Sequence, residues 1–307
     1  MHSKLLSFSL RAVCVIFVSV TASDKAHALA DRRFDVATFC CPCFADDHFC
    51  QAQFDALNWK TNVSRPNGHF LSMGSDSRRA EVNNNGNFLC VYYNTMNDNW
   101  TTMTGAQKAA DIENNYVIPL FTTTGVKPTW IFLNEISAGT WPGNQSYRTW
   151  VGDLCSSLKN TYSHTVIVAS PFPNPGANNA DWQRVASYAY IGIERYLSGQ
   201  EINANGNSIT WCQNLYQSSK DSYVARGVST TKLYLVEHFG QTVTDTGWGR
   251  SGASYAGWDN AINARSTAAK NVGFAGFCSY AWAKNAMLVS DTDLIHFENT
   301  YTAKTLP

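Results

Sequence analysis

Eight apolar, strand-like runs recur along the chain, and between most of them lies a stretch with helical spacing; no other property of the sequence restricts its fold as much. The runs occupy 34–39, 69–73, 88–93, 128–133, 164–172, 190–196, 232–240 and 274–282. Helical spacing is clearest where Tyr147, Trp150, Val151, Leu154 and Leu158 fall three or four residues apart, giving one apolar face. Further helices are expected at 50–60, 104–122, 208–227, 258–270 and 291–302. The connection at 171–176, PFPNPG, stops the fifth strand with three prolines and a glycine. Strand and helix alternating in this way predicts an α/β fold, a (β/α)8 TIM barrel. The chain has no low-complexity tail, heptad run or linker that would divide it.

Residues 1–30 stand apart from that pattern. Lys4 and Arg11 precede the apolar AVCVIFVSV, which gives way to small residues ending Ala28-Leu29-Ala30, as in a secretory signal peptide. Cleavage is expected after Ala30, with Ala22 as an earlier alternative, and the apolar run is too short to span a membrane. Residues 31–307 remain as a single domain, expected to be secreted, extracellular or periplasmic, and monomeric.

The 23 basic and 23 acidic residues balance, with no cationic run, which argues against nucleic acid or an anionic membrane as partner. Aromatic residues make up 13% and charged residues only 15%, and tryptophans fall near candidate loops at Trp100, Trp141, Trp248 and Trp282. Flat aromatic faces beside neutral hydrogen-bonding groups suit a carbohydrate partner. Of nine cysteines, Cys14 leaves with the leader, and the even remainder in an exported chain points to disulfides. Cys40, Cys41, Cys43 and Cys50 crowd together, with Cys43–Cys50 one local pairing; a metal site using these thiols and His48 is the rival, though export and the lack of a second Cys/His pair disfavour it. No metal or cofactor is expected.

Two strands end in glutamate. The run PTWIFLNEIS, 128–137, delivers Asn134 and Glu135, and KLYLVEHFG, 232–240, delivers Glu237. A carboxylate is costly at the end of an apolar strand unless something uses it. The catalytic rim of such a barrel is formed by the C-terminal strand ends, and the 102 residues from Glu135 to Glu237 equal three βα units of about 34 each, placing them on strands four and seven. Glu135 shares parity with Ile131 and Leu133, and Glu237 with Leu233 and Leu235, so both are expected in inward-facing columns. His238, of opposite parity, is expected to point away from the axis and pack. Glu194, also near the end of a strand, is the main internal competitor, but its neighbour Arg195 and its place before Tyr196 favour a structural ion pair. Two carboxyls on one rim can protonate a leaving glycosidic oxygen and meet the developing oxocarbenium ion.

In Asn134-Glu135, Glu237 and Trp282 the chain resembles the large clan of retaining (β/α)8 glycoside hydrolases, with acid/base on strand four and nucleophile on strand seven. That resemblance implies cleavage of a β-linked poly- or oligosaccharide by double displacement, with Glu135 as acid/base and Glu237 as nucleophile. It further implies that Asn134 binds the sugar 2-hydroxyl, that Trp282 floors the subsite of the cleaved sugar and that Tyr196 orients the nucleophile. The chain departs from the clan at Ile136, where many members have proline, and at Tyr93-Asn94, where histidine or tryptophan is common; Arg78 and Arg79 are merely near the place of the strand-two arginine. Trp141 and Trp248, on the loops after strands four and seven, are candidate sugar platforms. The alternative from another class is a non-catalytic carbohydrate-binding barrel. A serine hydrolase is disfavoured by the lack of a Gly-x-Ser-x-Gly elbow.

Overall fold

The computed structural model describes residues 35–39, 70–73, 88–93, 95–125, 127–238 and 255–280, with some side chains within those spans left undescribed. By its contacts the chain divides into two units, 1–31 and 32–307, and every described residue belongs to the second. The helices expected at 50–60 and 291–302, the cysteine group at 40–50, Asn94, Trp248, Trp282 and the side chain of His238 lie outside the described set.

The strands are β1 (Asp35–Phe39), β2 (Phe70–Met73), β3 (Phe88–Tyr93), β4 (Trp130–Leu133), β5 (Thr165–Ser170), β6 (Ala189–Glu194), β7 (Leu233–His238) and β8 (Gly276–Tyr280). All pair in parallel with their sequence neighbours in a curled sheet, and β8 pairs β1. Among the described residues, helices follow five of these strands: α1 (Gly105–Ile112) and α2 (Ile118–Thr124) after β3, α3 (Gln145–Asn160) after β4, α4 (Asn179–Tyr188) after β5, α5 (Gly199–Ala204) and α6 (Ile209–Val224) after β6, and α7 (Tyr255–Val272) after β7. A π-helical turn, Glu113–Val117, joins α1 to α2.

Local chemistry sets the helix ends. Thr104 caps α1 in a reciprocal box with Gln107, and Ser198 and Glu201 do the same for α5. Asn144 and Ser208 cap α3 and α6 by accepting from the backbone N–H groups of Tyr147 and Trp211. Gly125, at φ 69°, ends α2 in the left-handed conformation that glycine adopts without penalty.

Two apolar layers flank the sheet. Among the described residues, Cys90, Trp130, Phe132, Ile167, Ala169, Tyr234, Val236 and Cys278 form a cluster drawn from the strands, with Tyr92 and Tyr190 against it; this is the inner face of the curled sheet. Trp130 and Tyr190 stack at 5.9 Å and Tyr190 meets Tyr234 edge-on at 4.9 Å. Ile131, Leu133, Leu233 and Leu235 instead share a cluster with residues of α1, α3, α4, α6 and α7. The column expected to point inward therefore faces the helices. Alternation correctly grouped these residues, but both faces of a parallel barrel strand are apolar, so hydrophobicity alone does not say which group is inside.

Gly192 completes the inner layer. A Cβ there would stand 2.8 Å from Val236 Cγ2, so only glycine lets Tyr190 and Glu194 flank this point without displacing Val236. The described cysteines Cys90, Cys155, Cys212 and Cys278 are buried thiols, which corrects the expectation of disulfides for these four. They sit on β3, α3, α6 and β8 and pack as small apolar groups. Burial pushes Cys155 and Cys212 up to about 12, so these two stay protonated and unreactive.

Candidate active site

Beyond Leu133 the β4 backbone continues one step further, with Asn134 N–H donating to Tyr93 O at 2.9 Å. Glu135 then turns to φ 42°, a left-handed conformation that a residue with a Cβ adopts only when its surroundings hold it there. Three bonds do so. Asn97 Nδ2–H donates to Glu135 O at 2.7 Å, Ile136 N–H returns to Ala169 O at 2.9 Å, and Ser137 N–H donates to the Tyr147 hydroxyl at 2.9 Å. Tyr147, fully buried on α3, in turn donates to Asn97 Oδ1, closing a ring from the loop after β3 through α3 to the end of β4. Burial raises Tyr147 to about 12, partly offset by the Ser137 N–H, so the phenol keeps the proton that this ring requires.

The left-handed turn interrupts the alternation that would have sent Glu135 toward the helices with Leu133. Its carboxyl instead hydrogen-bonds that of Glu194. Glu194 is the last residue of β6, in the inner column of Tyr190 and Gly192, and is only 6% exposed. Burial lifts its carboxyl well above the usual carboxylate range, and the charge of Glu135 lifts it further; a hydrogen bond from Tyr196 pulls the other way. Glu194 thus retains a proton in the range where an ordinary carboxyl has lost it. The site is a pair of carboxyls at the C-terminal ends of β4 and β6, one exposed and one buried.

The expected partner of Glu135 has a different setting. Glu237, on β7, is 0% exposed and lies toward the helix layer. Its Oε1 accepts from the Tyr216 hydroxyl on α6, and its Oε2 accepts from Leu197 N–H at 3.1 Å. Burial raises it to about 7, with Arg265 the strongest opposing influence, followed by Tyr216, Leu197 N–H and Arg195. The inward orientation expected for Glu237 is therefore corrected, for the same reason of parity as Leu233 and Leu235. The ion pair expected for Glu194 is corrected too, because its carboxyl meets Glu135 and Tyr196 while the charge of Arg195 acts on Glu237.

Among the other expected site residues, Asn134 is half-buried, with the parity of Trp130 and Phe132. Tyr196 lies in the loop after β6 and not on the strand, 40% exposed. Trp141 is 1% exposed and packs on Trp182 at 4.4 Å, which removes it as a sugar platform. Glu194 was the competitor that sequence reasoning weighed and set aside as a structural ion pair. A glycine two positions before it, in the middle of a buried strand, was the available signal, because such a glycine marks a close approach inside a sheet.

No family model matches the sequence, and no curated protein matches it significantly. Solved structures of similar fold do exist. A proposed α-L-fucosidase from Bacteroides thetaiotaomicron superposes with a TM-score of 0.53 at 7% identity, over 99% of each chain. ZgEngAGH5_4, solved in complex with a cellotriose, gives 0.51 at 8% identity over 90% of this chain and 96% of that one. At such identity the likeness is one of fold.

Proposed function

We propose that the chain is a glycoside hydrolase on a complete (β/α)8 TIM barrel, working with Glu135 and Glu194. The observation that carries this reading is the contact between two carboxyls from strand ends, one buried so that its protonated form is favoured, the other open to solvent. Glycosidic cleavage needs that division of labour, an acid that keeps its proton and a carboxylate that has none. Glu194 protonates the departing oxygen while Glu135 attacks the anomeric carbon; the Glu194 carboxylate then takes a proton from the water that releases the sugar. The Tyr196 hydrogen bond, which favours the ionised form of Glu194, supports the second half of this cycle.

Carboxyls that already touch need separate only to about 5 Å for double displacement, whereas inversion needs about 6.5–9.5 Å and room for water, so the reading is of a retaining enzyme. The names of the two structures similar in fold, one tied to fucose and one to cellotriose, agree with a carbohydrate substrate. The β-linkage implied by the clan resemblance loses its residue basis once Glu237 lies among the helices. Asn134, Trp248 and Trp282 are assigned to sugar binding, residues 1–30 to a cleaved export signal, and Cys40, Cys41, Cys43 and Cys50 to disulfides.

The test is release of reducing sugar from a panel of neutral poly- and oligosaccharides. Glu135→Gln and Glu194→Gln should each lower turnover of whichever substrate the parent cleaves by about 10²–10⁴-fold while sugar binding persists. A parent that binds sugars and releases no product would overturn the enzymatic reading in favour of a binding barrel.

A further inference from the structure

Glu237 is a buried carboxyl that the proposed chemistry leaves unused, and its partners bear on the site. Leu197, 3% exposed in the loop after β6, is gripped through both of its backbone polar groups. Its N–H donates to Glu237 Oε2 at 3.1 Å, and its carbonyl accepts from Arg265 Nη2 on α7. Tyr216, from α6, fixes the other oxygen of Glu237. The grip falls three residues after Glu194 and one after Tyr196, whose hydroxyl hydrogen-bonds the Glu194 carboxyl. On the near side, Arg195 N–H donates to Val236 O at 3.2 Å, so the segment carrying Tyr196 is held to β7 at both ends.

We propose that Glu237 is a positioning residue: by anchoring Leu197 from behind the barrel, it holds the Tyr196 hydroxyl on Glu194. It touches neither substrate nor reacting atoms. The proposal rests on the reading of Glu194 as the acid of the site. A carboxyl suits the task because its two oxygens meet two donors at once, the Leu197 N–H and the Tyr216 hydroxyl, beside Arg265 in a place closed to water. The groups facing it are Tyr216 and Cys212 from α6, Arg265 from α7 and Arg195 from the loop. Those facing Glu194 are Glu135, Tyr196 and Tyr223.

The experiment follows the Glu194 carboxyl directly, by 13C NMR titration of the full chain, with Glu194→Gln assigning its signal. Tyr196→Phe removes the hydrogen bond to the carboxylate and should move the midpoint up by about 1 pH unit. Glu237→Leu should move it up by a similar amount. The double variant should show no more than either single one, because both break the same link. Glu237→Gln, which keeps an acceptor for Leu197 N–H and a partner for Tyr216, should titrate near the parent. If Glu237→Leu does not fold, Tyr216→Phe, which frees one carboxylate oxygen, provides the same reading with a smaller upward shift. A Glu194 midpoint unchanged in whichever of these variants folds, with thermal stability lowered, would make Glu237 merely structural and sink the proposal. Because the titration needs no turnover, it stands or falls separately from the hydrolase reading.

Discussion

Glu194 and Glu237 are both buried glutamates at or near the ends of adjacent strands, and the β6–β7 register pairs Glu194 with Val236, the residue just before Glu237. That offset of one residue turns them to opposite faces. Glu194 lies on the inner face of the curled sheet and meets another carboxyl, so burial and that neighbour favour its protonated form beside an exposed partner. Glu237 looks toward α6 and α7 and meets a phenol, a backbone N–H and a guanidinium, which compensate much of the cost of burying it. In a parallel sheet the same residue type in the same kind of sequence context can meet quite different partners, and the face of the strand decides which.

Three perturbations test that contrast. The largest effect is expected from Glu237→Ala, which leaves Arg265 and Leu197 N–H without their acceptor and should cost about 3–5 kcal/mol, read as a fall in the urea midpoint. A loss below about 1 kcal/mol would mean that Glu237 is not the anchor its contacts imply.

The next effect is in pH. Glu237 rises from an ordinary 4.5 to about 7 on folding, so between those values the folded chain holds a proton that the unfolded chain has released. Its contribution is fully present below pH 4.5, is lost as pH rises toward 7 and is flat above that, a change of about 3 kcal/mol. Glu194 acts in the same direction. The difference in stability between parent and Glu237→Gln should therefore move against the parent from pH 4.5 to 7. A difference independent of pH would contradict the raised value.

Tyr147→Phe should have the smallest effect. It removes the hydroxyl joining Asn97 to Ser137 and should cost about 1 kcal/mol of stability. Because that ring holds Glu135 in its left-handed turn, turnover should fall by more than the stability loss explains. An unchanged rate would show that the turn is held without it.

Much of the frame was legible in the sequence because strands buried on both faces leave long apolar runs. FLCVYY coincides with β3, WIFL with β4, and the apolar stripe from Tyr147 to Leu158 is the buried face of α3. Glu135 was legible as the residue where an apolar run breaks. Its φ was not, because nothing in Asn-Glu-Ile demands a left-handed turn; the demand comes from Asn97 and Tyr147, 38 residues before and 12 after in the chain. Trp141 read as a loop residue because it follows a strand end, yet Trp182 and Tyr147 enclose it from two helices. Which glutamate faces inward depended on a parity that hydrophobicity could not orient.

The 2.8 Å approach of a Cβ at Gly192 to Val236 has a consequence for how this barrel can change over generations. Neither position can enlarge alone, since position 192 is closed to any side chain while valine occupies 236. A lineage that first shrank Val236 to alanine would carry a void beneath the site until position 192 filled it. The two residues are thus coupled through space that both must share, so any enlargement at 192 requires a change at 236.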